Sequence, residues 1–519
     1  MNAVNEEKSQ LKIGVVLGYI NMAIGNLIPL FYTPVMLSLL GQNEYGLYKL
    51  STTVTGYLSL VSLGIGSALT RFLIRARTEE GKDGEERMFG LFVILFRWIT
   101  IICTLVGVVL VMTLHIWYGD SLSTDELTRM RIITAILVAN MAMSFLQTPY
   151  VSMVTTHERF VFSQCMNILS TTAVPIANII VLYMGYASIG MAVSTLALGV
   201  AIRWLYYLYV RKSLKITART KESPFTLLKE IFSFSIWVFV AEVVGQLYNS
   251  TDIFLIGMIP ALSVVGVAVY SIGTVFSGMV FSLTTGVSIL IAPKINKMIF
   301  SGASDVEVTD FTIKVGRIQG LIFALFCSGF ICFGRPFIHY YVGDEYAESY
   351  LIALLIMIPH CIPLVQNGCL NVVFAKNQHR FRSIMYFVIA VVNVVATWLI
   401  LPIGGLLGAA LVTGLALIVG QGLVMNWFYL KKTVIQIGRF WKEVVKVYFV
   451  PTVLCVITLF LCRYIDFYKI GNLILGILFY AVLFIAFQYA FVLNEYERGV
   501  IKRPIDKVMC KFKKEGNGK

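Results

Sequence analysis

The sequence is poor in charge. Asp, Glu, Lys and Arg make up 13% of its 519 residues, against 58% hydrophobic residues, and the mean hydropathy is +0.80. A soluble domain carries about a quarter charged residues, so a water-soluble fold is excluded. The nine cysteines are scattered, mostly inside apolar runs as at Cys327, Cys332 and Cys455, with no CxxC and no His/Cys cluster. That spacing argues against a disulfide framework and against a metal site. No GxxxxGK[ST] loop occurs, which disfavours ATP-driven work. The five histidines lie far apart, and no long outer loop gathers Arg, His or Asp for glycosyl transfer. No catalytic residues are therefore expected. The opening "MNAVNEEKSQLK" has two glutamates, and no small-residue cleavage site follows the first apolar run. That run is expected to be retained as a span.

What is present is a series of apolar runs of about 20 residues, each long enough to cross a bilayer as a helix. Strands of a β-barrel would alternate over about ten residues, and these runs do not. The expected fold is an all-α polytopic membrane protein of about fourteen spans: 12–40, 45–70, 88–116, 131–156, 160–184, 188–210, 230–259, 263–292, 314–333, 350–374, 382–401, 405–430, 443–462 and 471–492. The connecting loops sort by charge. Arg71 to Arg87, Arg211 to Lys229, Lys376 to Arg382, Lys431 to Lys446 and the tail after Leu493 are basic, whereas the alternate loops are short or acidic, as in "YGDSLSTDE" and "GDEYAES". The net charge of +14 thus reads as the positive-inside bias of a membrane protein and not as a nucleic-acid surface, and it places both termini in the cytoplasm.

The chain repeats itself. "FLQTPYVSMVTTHERF" (145–160) parallels "LVQNGCLNVVFAKNQHRF" (364–381), and "EYGLYKLSTTVTGYLSLVSLGIG" parallels "VGVAVYSIGTVFSGMVFSLTTGVS". Spans 1–6 and 7–12 read as two pseudo-symmetric six-helix lobes in the same orientation, a plan that places a transporter's substrate site between halves. The expected organisation is a first lobe at 1–212, a cytoplasmic linker at 213–229, a second lobe at 230–432, an added hairpin at 443–492 and a basic cytoplasmic tail at 493–519.

The run "LSLLGQNEYGLYKLSTTVTGYLSLVSLGIGSALTRFLIRAR" (37–77) resembles the opening of the polysaccharide transporters, the O-antigen and capsule repeat-unit flippases of the multidrug/oligosaccharidyl-lipid/polysaccharide exporter superfamily. The similar elements are the LG-x-x-EYGLY turn and the LGIG-x-ALTRF end of span 2, and the six-plus-six-plus-two layout extends the likeness over nearly the whole chain. The resemblance implies a bacterial inner-membrane protein whose two lobes rock between cytoplasm-open and periplasm-open states. Its implied cargo is an undecaprenyl-diphosphate-linked oligosaccharide, and its implied partners are membrane lipids and a polysaccharide polymerase with its chain-length regulator. In related lipid II flippases a terminal hairpin helps form a groove for the lipid tail. Drug antiporters of the same superfamily are the first rival reading, and a membrane-embedded polymerase or ligase is the second.

Charges inside spans are the candidate functional residues, because a charge at mid-bilayer costs about 2.5–3.5 kcal/mol on insertion scales and persists where it meets water or a partner. Glu242, Gln246 and Asn249 share one face of span 7, with Asp252 at its edge. Glu242 and Asp252 are candidates for coupling to Na⁺ or H⁺; no other cofactor is expected. Arg97 and Arg203 lie about 15 Å and 12 Å from the basic ends of their spans, and an arginine fork suits phosphate oxygens. Pairing of these arginines with Glu242 or Asp252 across a helix seam is the alternative reading. Arg71, Arg75, Lys294 and Lys297, at the cytoplasmic ends of spans 2 and 8, are further candidates for the diphosphate, or ordinary positive-inside anchors.

Overall fold

In hydrocarbon a backbone must satisfy its own N–H and C=O groups, and the helix does this within a single segment. The computed structural model describes residues 2–222, 224–285, 291–376 and 378–499, and among them no strand occurs. The last part of span 8 and the tail from 500 onward lie outside the described residues. Sixteen α-helices follow in order: α1 Asn2–Gly56, α2 Ile65–Tyr118, α3 Thr124–Thr156, α4 Phe160–Tyr183, α5 Ala187–Leu208, α6 Leu228–Met258, α7 Ser263–Thr285, α8 Ile291–Phe300, α9 Asp305–Val342, α10 Ser349–Val365, α11 Asn367–Ala375, α12 His379–Leu417, α13 Met425–Lys432, α14 Ile437–Val444, α15 Phe449–Leu461 and α16 Ile470–Phe491.

Ten segments are long and apolar enough to cross a membrane, or eleven when α10 and α11 count as one span bent by 46°. One of them, Ile13–Tyr118, holds 106 residues, several times the length that about 30 Å of hydrocarbon requires. Gly41 (φ 74°) breaks α1, Gly81 (φ 67°) breaks α2 and Gly405 (φ 56°) breaks α12. These left-handed conformations suit a residue without a Cβ. Two breaks within Ile13–Tyr118 and one within α12 bring eleven segments to the fourteen expected. The turns were legible as Gly-containing gaps between apolar runs, although the chain makes each in a single residue.

By packing, the chain falls into two compact units, Met1–Ile272 with Ser383–Thr413, and Gly273–Arg382 with Gly414–Lys519. The boundaries fall inside α7 and α12. In the first unit α2 packs along α3, α1 along α4, and α5 against α3 and α4, around a core that includes Phe89, Phe92, Phe96 and Cys103. The EYGLY stretch is explained here. Glu44 pairs with Arg129 of α3 and accepts the Ser188 hydroxyl of α5. Tyr45 is fully buried, and Gly46 lies so close to the start of α7 that a Cβ would stand 1.9 Å from the Val264 carbonyl oxygen.

The expected linker is fastened to the first unit. Glu86 of α2, 4% exposed, accepts the Thr217 backbone N–H at 3.1 Å and the Arg219 guanidinium at 2.9 Å, and Arg219 also pairs with Asp83 at 2.8 Å. Glu85, equally buried, holds His157 at 2.9 Å. In the second unit α9 is the spine. A capping box of Ser304 and Glu307 opens it, and the Ser304 backbone N–H and hydroxyl hold the Glu307 carboxyl below the usual carboxylate range. The hairpin of α15 and α16 packs on α9 through Phe333, Leu454, Phe467 and Tyr480. A buried Arg317–Glu497 pair at 2.6 Å clasps it, with Arg317 also donating to the Glu443 and Val492 carbonyls at 2.9 Å.

Candidate functional site

The two intramembrane arginines meet in one pocket of the first unit. Arg97 on α2 and Arg203 on α5 line a cavity of about 290 Å³ together with Gln147 and Tyr150 of α3 and Trp204 and Tyr207 of α5. Arg203 donates through Nη2 to the Asn140 backbone carbonyl at 2.9 Å and to Asn140 Oδ1 at 2.8 Å, while its Nε and Nη1 have no hydrogen-bond partner. Gly199 makes room for this guanidinium, since a Cβ there would lie 3.1 Å from Arg203 Nη1. Arg97 is exposed at the pocket surface. Among the described residues neither arginine has a carboxylate partner within salt-bridge distance, so the structure does not pair them with Glu242 or Asp252. The sequence offered both arginines by depth alone; α3 brings them to one place, which no spacing along the chain could reveal.

The polar face of α6 divides. Asp252 is buried, and its Oδ2 accepts the hydroxyls of Tyr270 on α7 and of Thr413 on α12, the latter at 2.7 Å. Asn393 lies next to Thr413, with side-chain contacts at 3.4 and 3.5 Å. The Thr397 hydroxyl adjoins the carboxylate but lies outside good hydrogen-bond geometry. The result is a carboxylate in a nest of neutral oxygens. Glu242, by contrast, is exposed, with the Ser62 hydroxyl beside it. Gln246 is half-buried and donates to Ser250 at 3.0 Å; Asn249 is exposed and donates to the Gly245 carbonyl at 2.8 Å. In the sequence Asn393 is a polar residue inside the expected span 382–401. Thr397 and Thr413 carried no signal of their own, since hydroxyls are common on membrane helices, and Tyr270 lay in the repeated stretch at 265–288.

The cytoplasmic cations differ from one another. Arg71 lies over the Phe234 ring, 5.0 Å from its centroid, and Arg75 pairs with Glu79 and Glu230 at 3.1 and 2.9 Å. In the second unit Lys294 lies 4.5 Å from the Phe311 ring centroid, and Lys297 is exposed. The same unit carries an apolar groove of about 720 Å³ on the terminal hairpin, floored by Phe449, Val453, Leu454 and Phe487, with Lys442 and Lys446 at one end. Among the described residues no cluster of three His, Cys, Asp or Glu side chains is placed to hold a metal ion.

The sequence model of the polysaccharide biosynthesis protein family matches residues 14–293, more than half of the chain. The chain belongs to the polysaccharide biosynthesis protein family. Among solved structures it is similar to the lipid II flippase MurJ in an inward closed conformation, with a TM-score of 0.71 and 13% identity over 92% of this chain and 99% of that one. It is also similar to the MATE multidrug transporter DinF-BH, with a TM-score of 0.57 and 14% identity over 84% and 97% of the two chains. A Vibrio cholerae MATE transporter, VcmN, aligns with a TM-score of 0.56 and 13% identity over 83% and 99%. At these identities the likeness is one of fold, that of polytopic all-helical membrane proteins. No curated protein sequence matches the chain. In this member of the polysaccharide biosynthesis family, sequence reasoning passed over Glu85, Glu86 and Arg317, because acids in a basic loop and an arginine near a span end look like surface charge until burial is known.

Proposed function

We propose that the chain is a flippase that carries an undecaprenyl-diphosphate-linked oligosaccharide across the bacterial inner membrane by alternating access, for O-antigen, capsule or exopolysaccharide synthesis, with both termini in the cytoplasm. The observation that carries this reading is the family match over 14–293. The hairpin groove supports a lipid-borne cargo: its floor is apolar, it has the volume for several isoprene units of a tail, and Lys442 at one end suits a phosphate, while Lys446 beside it is paired with Glu443 at 2.6 Å. Arg71 in the first unit, and Lys294 and Lys297 in the second, are free of carboxylate partners among the described residues, and each is a further candidate cation for a diphosphate. Exposed Asn249 and half-buried Gln246 on α6 offer hydrogen bonds to sugar hydroxyls.

The Asp252 nest is the position for the coupling ion. A carboxylate with the Tyr270, Thr413 and Thr397 hydroxyls and the Asn393 carbonyl presents hard oxygens, the donor type that suits Na⁺, and the same carboxylate can hold a proton. Moving a cargo breaks no bond, so the chain acts as a transporter and not as an enzyme, and a polymerase with its chain-length regulator would use what it delivers. Depleting the protein in its host tests the reading. Lipid-linked repeat units are expected to accumulate on the cytoplasmic leaflet while surface polysaccharide falls. The fold likeness to MATE transporters supports a drug or cation antiporter as the second reading; unchanged surface polysaccharide together with new sensitivity to cationic drugs would decide for it.

A further inference from the structure

The arginine pocket opens on a greasy face. Exposed Val200 and Trp204 of α5 line the pocket, and along the same two helices Trp98, Ile101 and Leu105 of α2 and Leu205 of α5 are exposed as well, with Trp98 and Trp204 61% and 59% exposed. A water-filled vestibule would not be ringed by such side chains; a surface against acyl chains would. Tryptophan and tyrosine favour the depth of the headgroups. Here Trp204 stacks on Tyr207 with centroids 5.4 Å apart, and Tyr150 meets Tyr207 edge-on at 5.6 Å. Arg211 adds a third cation at the rim, donating to the Tyr207 hydroxyl at 2.5 Å. No Asp or Glu lines the pocket. Two arginines at membrane depth without a carboxylate, one with two buried donor nitrogens unfilled, call for an anion. The anion that reaches this mouth first is the phosphate of a lipid.

We propose that the pocket of Arg97, Arg203, Gln147, Tyr150 and Tyr207 binds the phosphate ester of an anionic membrane phospholipid from the cytoplasmic leaflet. Basic pockets between transmembrane helices on that side are sites for such headgroups. Arg203 Nε and Nη1 and the Arg97 guanidinium donate to the phosphate oxygens, and Gln147 and Tyr150 reach the glycerol. The acyl chains leave over Trp98 and Leu105. The cargo's diphosphate has the same chemistry, and a cavity of about 290 Å³ has room for a phosphate with its glycerol but not for a diphosphate with its oligosaccharide, which assigns the pocket to the bulk lipid instead.

The test is native mass spectrometry of the full chain in mild detergent, titrated with dioleoyl phosphatidylglycerol or with dioleoylglycerol, which has the same chains and no phosphate. Wild-type protein is expected to retain phosphatidylglycerol about ten-fold better, the effect of one or two charge-assisted hydrogen bonds. Arg97→Gln with Arg203→Gln should abolish that preference, and Lys469→Gln, which removes a charge that does not line the pocket, should keep it. If the double variant does not fold, Arg97→Gln alone must weaken retention and Arg97→Lys restore most of it. Equal retention of the two lipids, an unchanged preference in Arg97→Gln, or displacement by sn-glycerol 3-phosphate at equal concentration overturns the proposal. Displacement by undecaprenyl diphosphate at equal concentration would hand the pocket to the cargo and overturn it too. The readout uses no transport, so its failure leaves the flippase reading standing.

Discussion

Asp252 and Arg317 are both buried charges, and they sit in opposite circumstances. Arg317 is met by Glu497 and two backbone carbonyls, so its charge is neutralised in place. Asp252 has only hydroxyls about it, so its charge is solvated by dipoles but not cancelled. The first arrangement suits a clasp and the second suits a site that takes up a cation. Replacing Arg317 with Gln leaves Glu497 buried and unpaired and should cost about 3–5 kcal/mol, read as a fall in thermal midpoint in detergent and as loosening of the hairpin. Asp252→Asn keeps the size and should leave the thermal midpoint near that of wild type. Its transport should no longer respond to a Na⁺ or pH gradient, measured in vesicles with each gradient imposed separately. Glu242→Gln in the same assay tells whether the exposed carboxylate shares the role: a retained gradient response keeps coupling at Asp252. At this scale the sequence revealed which residues were out of place in lipid but not what they meet. Arg97 and Arg203 are 106 positions apart, and only α3 brings them together; Asp252 could not be told from Glu242 until one proved buried and the other exposed.

At the scale of elements, helix identity was legible because hydrocarbon leaves the backbone few options. The fourteen apolar runs survive as segments even where helices merge across Gly41, Gly81 and Gly405. Contacts between elements were not legible. Gly46 reads in sequence as part of a turn motif; in the fold it is a point of contact with the backbone at Val264. Gly46→Leu should push α1 off α7 and destabilise by about 1–3 kcal/mol, seen as lower yield of folded protein and a lower thermal midpoint. The sequence marks 213–229 only as a basic linker. Glu86 and Asp83 bind it through Arg219 and Thr217, so Glu86→Ala should release it. Limited trypsin digestion would then cut at Lys215, Arg219 or Lys221 many times faster than in wild type, with the rest of the chain protected as before.

For the whole molecule, the family match carries the proposed function, and the likeness to solved structures is one of fold. The chain belongs to the polysaccharide biosynthesis family, its fold is similar to that of a lipid II flippase over 92% of its length, and its terminal hairpin carries an apolar groove with cations at one end. Charge asymmetry between loops sets the expected orientation; in a chain whose native cysteines, exposed Cys462 and Cys165 among them, are replaced by serine, a membrane-impermeant thiol reagent should label a cysteine placed at Asn472 from outside the cell and one placed at Lys432 only after permeabilisation. The central claim is that the protein moves a lipid-linked oligosaccharide between leaflets. The most direct measurement uses purified protein in vesicles with a fluorescent undecaprenyl-diphosphate oligosaccharide on both leaflets, and follows how much a membrane-impermeant quencher can reach. With protein present, the quenched fraction is expected to climb from about half toward completion, at a rate set by the number of protein copies. A fraction that stays at the level of protein-free vesicles, with the protein folded and the ion gradient imposed, would contradict the account.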